Sequence, residues 1–142
     1  MDREDMPMPE EGILLTQFLV VEDIARSVEF YSRVLGGEAV FEGPPGVVKL
    51  ANAWLILNTG GGPTEDKPEV ELTTPADPNT VDSFLNVRVA DMAVTRAEWE
   101  SRGAEFLTPP VDFGHEIRCY LRDPDGHLIE VGEATGMLEL LG

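Results

Sequence analysis

The feature that most constrains this chain is an internal repeat. The stretch TQFLVVEDIARSVEFYSRVLGGEAVF, from Thr16 to Phe41, has a counterpart in FLNVRVADMAVTRAEWESRGAEFL, from Phe84 to Leu107, and each reads strand, Asp, helix, Gly, strand. In the first copy Leu19 and Val21 alternate with Phe18 and Val20, Asp23 stands where a helix N-cap is needed, and Ile24, Val28, Tyr31 and Leu35 share one helical face ahead of Gly36 and Gly37. Residues 38–41, 47–50 and 53–58 then read as three short strands, with a tight turn at Ala51 and Asn52. The second copy repeats the order. Leu85, Val87 and Val89 mark a strand, Asp91 a cap, 92–102 a helix carrying Trp99, and 104–107, 116–122 and 127–132 the remaining strands.

Each half is therefore expected to be a βαβββ module, 13–59 and 81–134. A Gly-, Pro- and acid-rich linker, 60–80, joins them, an acidic tail, 1–12, precedes them, and a C-terminal tail, 135–142, follows. A module of this size buries too little sheet to be stable alone, so the two are expected to share one domain within the 142 residues. The fold class expected is α+β.

Charge excludes some functions and leaves others open. Ten basic against 27 acidic side chains give a net charge of −17, which argues against nucleic acid or an anionic membrane as partner and is compatible with a cationic ligand. About half of that excess lies in the N-terminal and linker segments, where solvated surface charge is the simpler account. No apolar run approaches the roughly 20 residues of a membrane span, and the first residues are acidic and Pro-rich, so a soluble, cytoplasmic protein is expected. Cys119, the one cysteine, excludes an intramolecular disulfide and any CxxC zinc site.

One residue near the C-terminus does not fit its surroundings. Glu130 sits between Ile129 and Val131 in a run that reads as a core strand, and a buried carboxylate needs a partner. Upstream, Asp123-Pro124-Asp125-Gly126 supplies an Asx acceptor, a fixed φ and a residue tolerant of positive φ, which makes a turn between antiparallel strands; as a calcium loop it fails, because Ala134 stands where the bidentate Glu belongs. If Arg122 and His127 flank this turn, Glu130 pairs with Cys119. Leu121, Cys119, Ile117, Leu128 and Glu130 then share one face, while Tyr120, Arg118, Ile129 and Val131 back a helix on the other.

The paired βαβββ halves, the segment VVEDIARSVEFYSRVLGG and the ending YLRDPDGHLIEV closely resemble the vicinal oxygen chelate superfamily, which includes glyoxalase I, extradiol dioxygenases, fosfomycin-resistance enzymes and bleomycin-resistance proteins. The resemblance runs from Leu14 to Glu133 and implies a curved mixed sheet with a concave cleft. It does not specify an activity, since the fold hosts several chemistries and also binding without chemistry. In the family's metal enzymes the ligands come from the first strand of each half and the last strand of the second, with one more from the last strand of the first half in glyoxalase I. The matching positions here are Thr16, Phe84, Glu130 and Ile56, and that set does not make a divalent-metal site. No metal and no other cofactor is expected.

The histidines do not rescue such a site: His127 flanks the turn on the helix-backing face, and His115 lies roughly 13 Å along the strand from Cys119. By parity, Thr16, Phe18, Trp54, Ile56, Asn58, Phe84, Asn86, Arg88, Ile117, Cys119 and Glu130 line a mostly apolar concavity with a few polar groups, the usual make-up of a small-molecule site. Core packing accounts equally well for Ile117, Phe18 and Cys119, and Arg88 with Glu130 is also readable as a plain ion pair. A nucleophilic role for Cys119 lacks a neighbouring base. The expectation is a homodimer that holds a small organic molecule, as the bleomycin-resistance type sequesters a drug. Glu130 would face a cationic group while Trp54 and Phe84 offer stacking surface. The alternative is a lyase, isomerase or dioxygenase with Glu130 as metal ligand or general base.

Overall fold

The computed structural model describes residues 2–142. The chain divides into two compact units, one ending at Ala76 and the other beginning at Asp77, and each holds one four-stranded sheet.

In the first unit β1 (Thr16–Val20) leads into α1 (Ile24–Glu29), which runs on as a wider π-helical turn over Phe30–Val34. Asp23 caps α1 by accepting from the Arg26 N–H at 3.1 Å, as its position predicts. Strands β2 (Glu38–Phe41), β3 (Gly46–Leu50) and β4 (Ala53–Asn58) complete a sheet of order β1-β4-β3-β2, with β1 parallel to β4. Strand parity then sorts the side chains. Leu19, Val48, Leu55 and Leu57 point to the helix side, where Val28, Tyr31, Val34 and Leu35 are buried as well. Fully burying a side chain of this kind stabilises by roughly 1.5–3 kcal/mol, so this layer is what holds the unit together. Thr16, Phe18, Trp54, Ile56 and Asn58 point the other way, which matches the parity read from the sequence.

The second unit repeats the plan with β5 (Leu85–Arg88), α2 (Met92–Ser101), β6 (Val111–Asp112), β7 (Glu116–Arg122) and β8 (Leu128–Ala134), in the order β5-β8-β7-β6. Helix α2 is capped twice: the Asp91 carboxylate accepts from Val94 N–H at 3.0 Å, and Glu133 on β8 accepts from Met92 N–H at 2.7 Å. Met92, Trp99, Cys119, Leu121, Ile129 and Val131 are buried. The expected strand 104–107 contributes only a bridge from Phe106 to Leu121. Pro109 and Pro110 have no N–H to donate, so the ladder resumes beyond them, at Val111.

The segment expected as a plain linker has structure of its own. Gly61 pairs with Leu72 and Thr64 with Lys67, and the Lys67 ammonium donates to the carbonyls of Gly62 and Val70 at 2.8 and 3.2 Å. The expected tails likewise contain a 3₁₀ turn, Arg3–Asp5, and a short helix α3, Met137–Leu141. Among the described residues no helix is long and apolar enough to cross a membrane.

Candidate functional site

The turn between β7 and β8 decides which side chains meet Glu130. Asp123 N–H donates to the His127 carbonyl at 2.9 Å, Gly126 N–H returns to the Asp123 carbonyl at 3.0 Å, and the Asp123 carboxylate accepts from Asp125 and His127. Gly126, at φ 92°, takes the left-handed position that ends a three-residue loop. The closing pair is therefore Asp123 with His127, Arg122 pairs with Leu128, and Glu130 pairs with Tyr120.

This is one residue away from the register expected from the sequence, and a one-residue slip turns a strand over. Ile117, Cys119 and Leu121 lie on the helix side with Ile129 and Val131, whereas Glu116, Arg118 and Tyr120 share the face of Glu130. Cys119 is thus removed from the candidate ligand site. It is buried, its thiol lies 3.5 Å from the Met92 sulfur, and burial raises its pKa against a smaller opposing effect of Arg96. His115 lies just before β7 begins at Glu116, outside the ladder whose alternation placed it with Glu130. The signal was present in the sequence: Ile117, Cys119 and Leu121 alternate with Glu116, Arg118 and Tyr120, and the apolar set belongs with Ile129 and Val131.

On that face Glu130 is 7% exposed and each of its carboxylate oxygens has a partner. The Tyr120 hydroxyl donates to Oε1 at 2.6 Å, the Asn86 side-chain amide donates to Oε2, and an Arg88 guanidinium nitrogen stands 3.7 Å from Oε2. The parallel register places this group, since Asn86 is the β5 partner of Glu130 and Arg88 the partner of Gly132. Gly132 provides the space for Arg88, because a Cβ there would lie 2.7 Å from the guanidinium carbon. Arg88 also reaches Glu116 at 3.3 Å, and Glu116 in turn receives Arg118 at 3.0 Å. Arg118 lies over the Phe113 ring, 4.1 Å from its centroid, and Phe84 meets Tyr120 edge-on at 6.3 Å. The Glu130 carboxylate, with burial as the lesser cause, holds the Tyr120 phenol above its ordinary pKa.

Of the expected site residues, the second unit brings together Phe84, Asn86, Arg88 and Glu130, and adds Tyr120, Glu116 and Arg118, which the sequence reading left out. The first unit presents Thr16, Phe18, Trp54, Ile56 and Asn58 on one sheet face, with Thr16 beside Trp54 and Phe18 beside Ile56. Phe18 and Phe84 are 43% and 44% exposed, far above what core aromatic residues show.

A divalent ion of the kind bound by the metal enzymes named above does not fit these residues. Thr16, Ile56 and Phe84 offer one hydroxyl between them, and both oxygens of Glu130 already accept hydrogen bonds. Among the described residues no group of three or more His, Cys, Asp and Glu side chains has the arrangement of a metal site.

Residues 13–131 match the model of the Glyoxalase/Bleomycin resistance protein/Dioxygenase superfamily. A lactoylglutathione lyase of Salmonella typhimurium is 30% identical over 128 residues, which is 85% of this chain and 92% of the relative. Among solved structures, a glyoxalase/bleomycin resistance protein/dioxygenase from Nocardioides superposes with a TM-score of 0.67 at 21% identity, covering 89% of this chain and 86% of that one. TnmS3, an antibiotic binding protein from Streptomyces sp. CB03234, superposes with a TM-score of 0.61 at 19% identity, covering 89% and 100%.

Proposed function

Given that the chain belongs to the Glyoxalase/Bleomycin resistance protein/Dioxygenase superfamily, we propose that it binds a small organic molecule on its exposed sheet faces and does so without a metal ion and without transforming it, as in antibiotic sequestration. One observation carries this reading: Glu130, the only carboxylate at a ligand position of the family's metal enzymes, is already hydrogen-bonded by Tyr120 and Asn86 and stands 3.7 Å from Arg88. A carboxylate held in this way is a structural group of the face and offers little charge to a cationic ligand. The exposed rings, Phe18 on one unit and Phe84 against Tyr120 on the other, supply the apolar contact, and Asn86 and Arg88 supply polar contact beside it. The likeness to TnmS3 supports the idea of an antibiotic as ligand by analogy of fold alone. The homodimer and the cytoplasmic setting expected from the sequence belong to this proposal.

The test is a thermal-shift and calorimetric panel of antibiotics and aromatic metabolites, with Phe84→Ala and Asn86→Ala as variants and mass spectrometry of whatever ligand is recovered. Saturable binding weakened by these variants, with ligand recovered unchanged, is the expected outcome. Recovery of a transformed ligand, or affinity indifferent to both variants, would overturn it.

A second reading is favoured by the lyase relative and by the Tyr120–Glu130 hydrogen bond, which is a ready acid–base pair. Under it the protein is a lyase, isomerase or dioxygenase with Glu130 as ligand or base. Turnover in a lactoylglutathione lyase assay, abolished by Glu130→Gln, would replace the first reading with this one.

A further inference from the structure

Residues 2–10 precede the stretch that matches the family, which begins at residue 13, and they fold into a short structure of their own. Asp2 and Asp5 close the Arg3–Asp5 turn, with Asp2 N–H donating to the Asp5 carboxylate at 3.0 Å and Asp5 N–H donating to the Asp2 carbonyl at 3.0 Å. The Arg3 guanidinium donates to the Pro9 carbonyl at 3.3 Å and stands 3.9 Å from Glu10, which closes the segment into a loop. This loop lies against the Trp54 end of the first unit's sheet. Between them is a cavity of about 560 Å³ whose walls include Glu4, Met6, Met8, Leu14, Lys49 and Trp54. A second cavity, of about 390 Å³, shares Glu4, Lys49 and Trp54 and adds Asp5 and Glu38. Each is large enough for a drug-sized ring system or a part of one.

The chemistry of the walls selects among ligands. An indole and two thioethers are good partners for a flat aromatic body. Across the two cavities the carboxylates include Glu4, Asp5 and Glu38, and of the cations Arg3, which lines the first, is held by the Pro9 carbonyl and Glu10, which leaves Lys49. Its ammonium lies 5.0 Å over the Trp54 ring and makes no ion pair among the described residues, although Glu4 and Glu38 line the same cavity. The indole face is thus already used as a cation site.

We propose that the first of these cavities, where Met6, Met8, Glu4, Lys49 and Trp54 meet, is a binding site for organic cations with a planar aromatic body, in which the ligand's charged nitrogen displaces the Lys49 ammonium from Trp54 and the N-terminal loop forms the outer wall. The proposal rests on the reading that the Trp54 face of the first unit receives a ligand, and it adds the chemical class and the wall formed by the N-terminal loop.

Calorimetry on the full-length chain with N-methylquinolinium, set against quinoline, which is neutral at pH 7, tests it. Saturable binding of the cation is expected, about tenfold tighter than quinoline, lost in Trp54→Leu and weakened severalfold in Glu4→Gln. Lys49→Met is expected to tighten it severalfold, because the internal competitor is gone; a merely structural Lys49 would leave affinity unchanged or weaker. Equal affinity for quinoline, unchanged or weaker binding in Lys49→Met, or no saturable heat overturns the proposal. Should N-methylquinolinium fail while panel ligands bind in a manner dependent on Phe84, the broader binding reading stands and only this inference falls. Absence of binding in both experiments removes the two together.

Discussion

Ala51 has a φ of 53°, a conformation that costs a residue bearing Cβ roughly 1–2 kcal/mol. It opens the two-residue turn between Leu50 and Ala53, where glycine is the preferred occupant. Ala51→Gly is therefore expected to raise the unfolding free energy by about 0.5–1 kcal/mol in a denaturant titration, once glycine's greater unfolded-state entropy is subtracted. The turn was legible because Ala51 and Asn52 separate two apolar runs. Tyr120 makes a different prediction. Its phenol titrates above the ordinary value because Glu130 accepts its hydrogen bond, so that bond contributes stability throughout neutral pH and loses it as pH rises through the folded-state pKa, above about 10. Ultraviolet difference titration should show this phenol returning toward its ordinary value in Glu130→Gln. An unmoved titration would mean that the carboxylate is not the cause.

Within the second unit's sheet, the pairing of β5 with β8 places Arg88 across Gly132, so the two residues are expected to be coupled. Gly132→Ala drives a Cβ into the guanidinium and should cost about 1–3 kcal/mol, and the cost should shrink in the Arg88→Ala background, where nothing remains to be displaced. A double-mutant cycle by chemical denaturation measures this, and strict additivity would contradict the packing described. Glu130 could be picked out from sequence as an anomalous carboxylate in a core strand, but its partners could not. They depend on whether the β7–β8 loop has three residues or four, and Asp123, Gly126 and His127 decide that through backbone hydrogen bonds. The alternation of Ile117, Cys119 and Leu121 carried the same information and, weighed more heavily, would have given the register.

For the molecule as a whole, 27 acidic against 10 basic side chains make self-repulsion a general cost of the compact state, so the melting temperature should rise as salt is increased to about 0.15 M. A fall over that range would indicate that ion pairs such as Arg88 with Glu116 outweigh the repulsion. Protein purified without chelator is expected to carry no stoichiometric Zn, Ni, Mn or Fe and to gain no stability from divalent ions. Large stabilisation by one of them would overturn the metal-free reading. The sequence by itself determined the two βαβββ modules, their helix caps, the parity of β1, β4 and β5, and the lack of good donors at Thr16, Ile56 and Phe84, because periodicity and residue chemistry are local properties. Only the tertiary structure decided that Glu130 is held by Tyr120, Asn86 and Arg88, that Cys119 faces α2, and that residues 2–10 wall a cavity at Trp54. Those outcomes depend on strand register and on contacts between segments far apart in the chain, which no local pattern encodes.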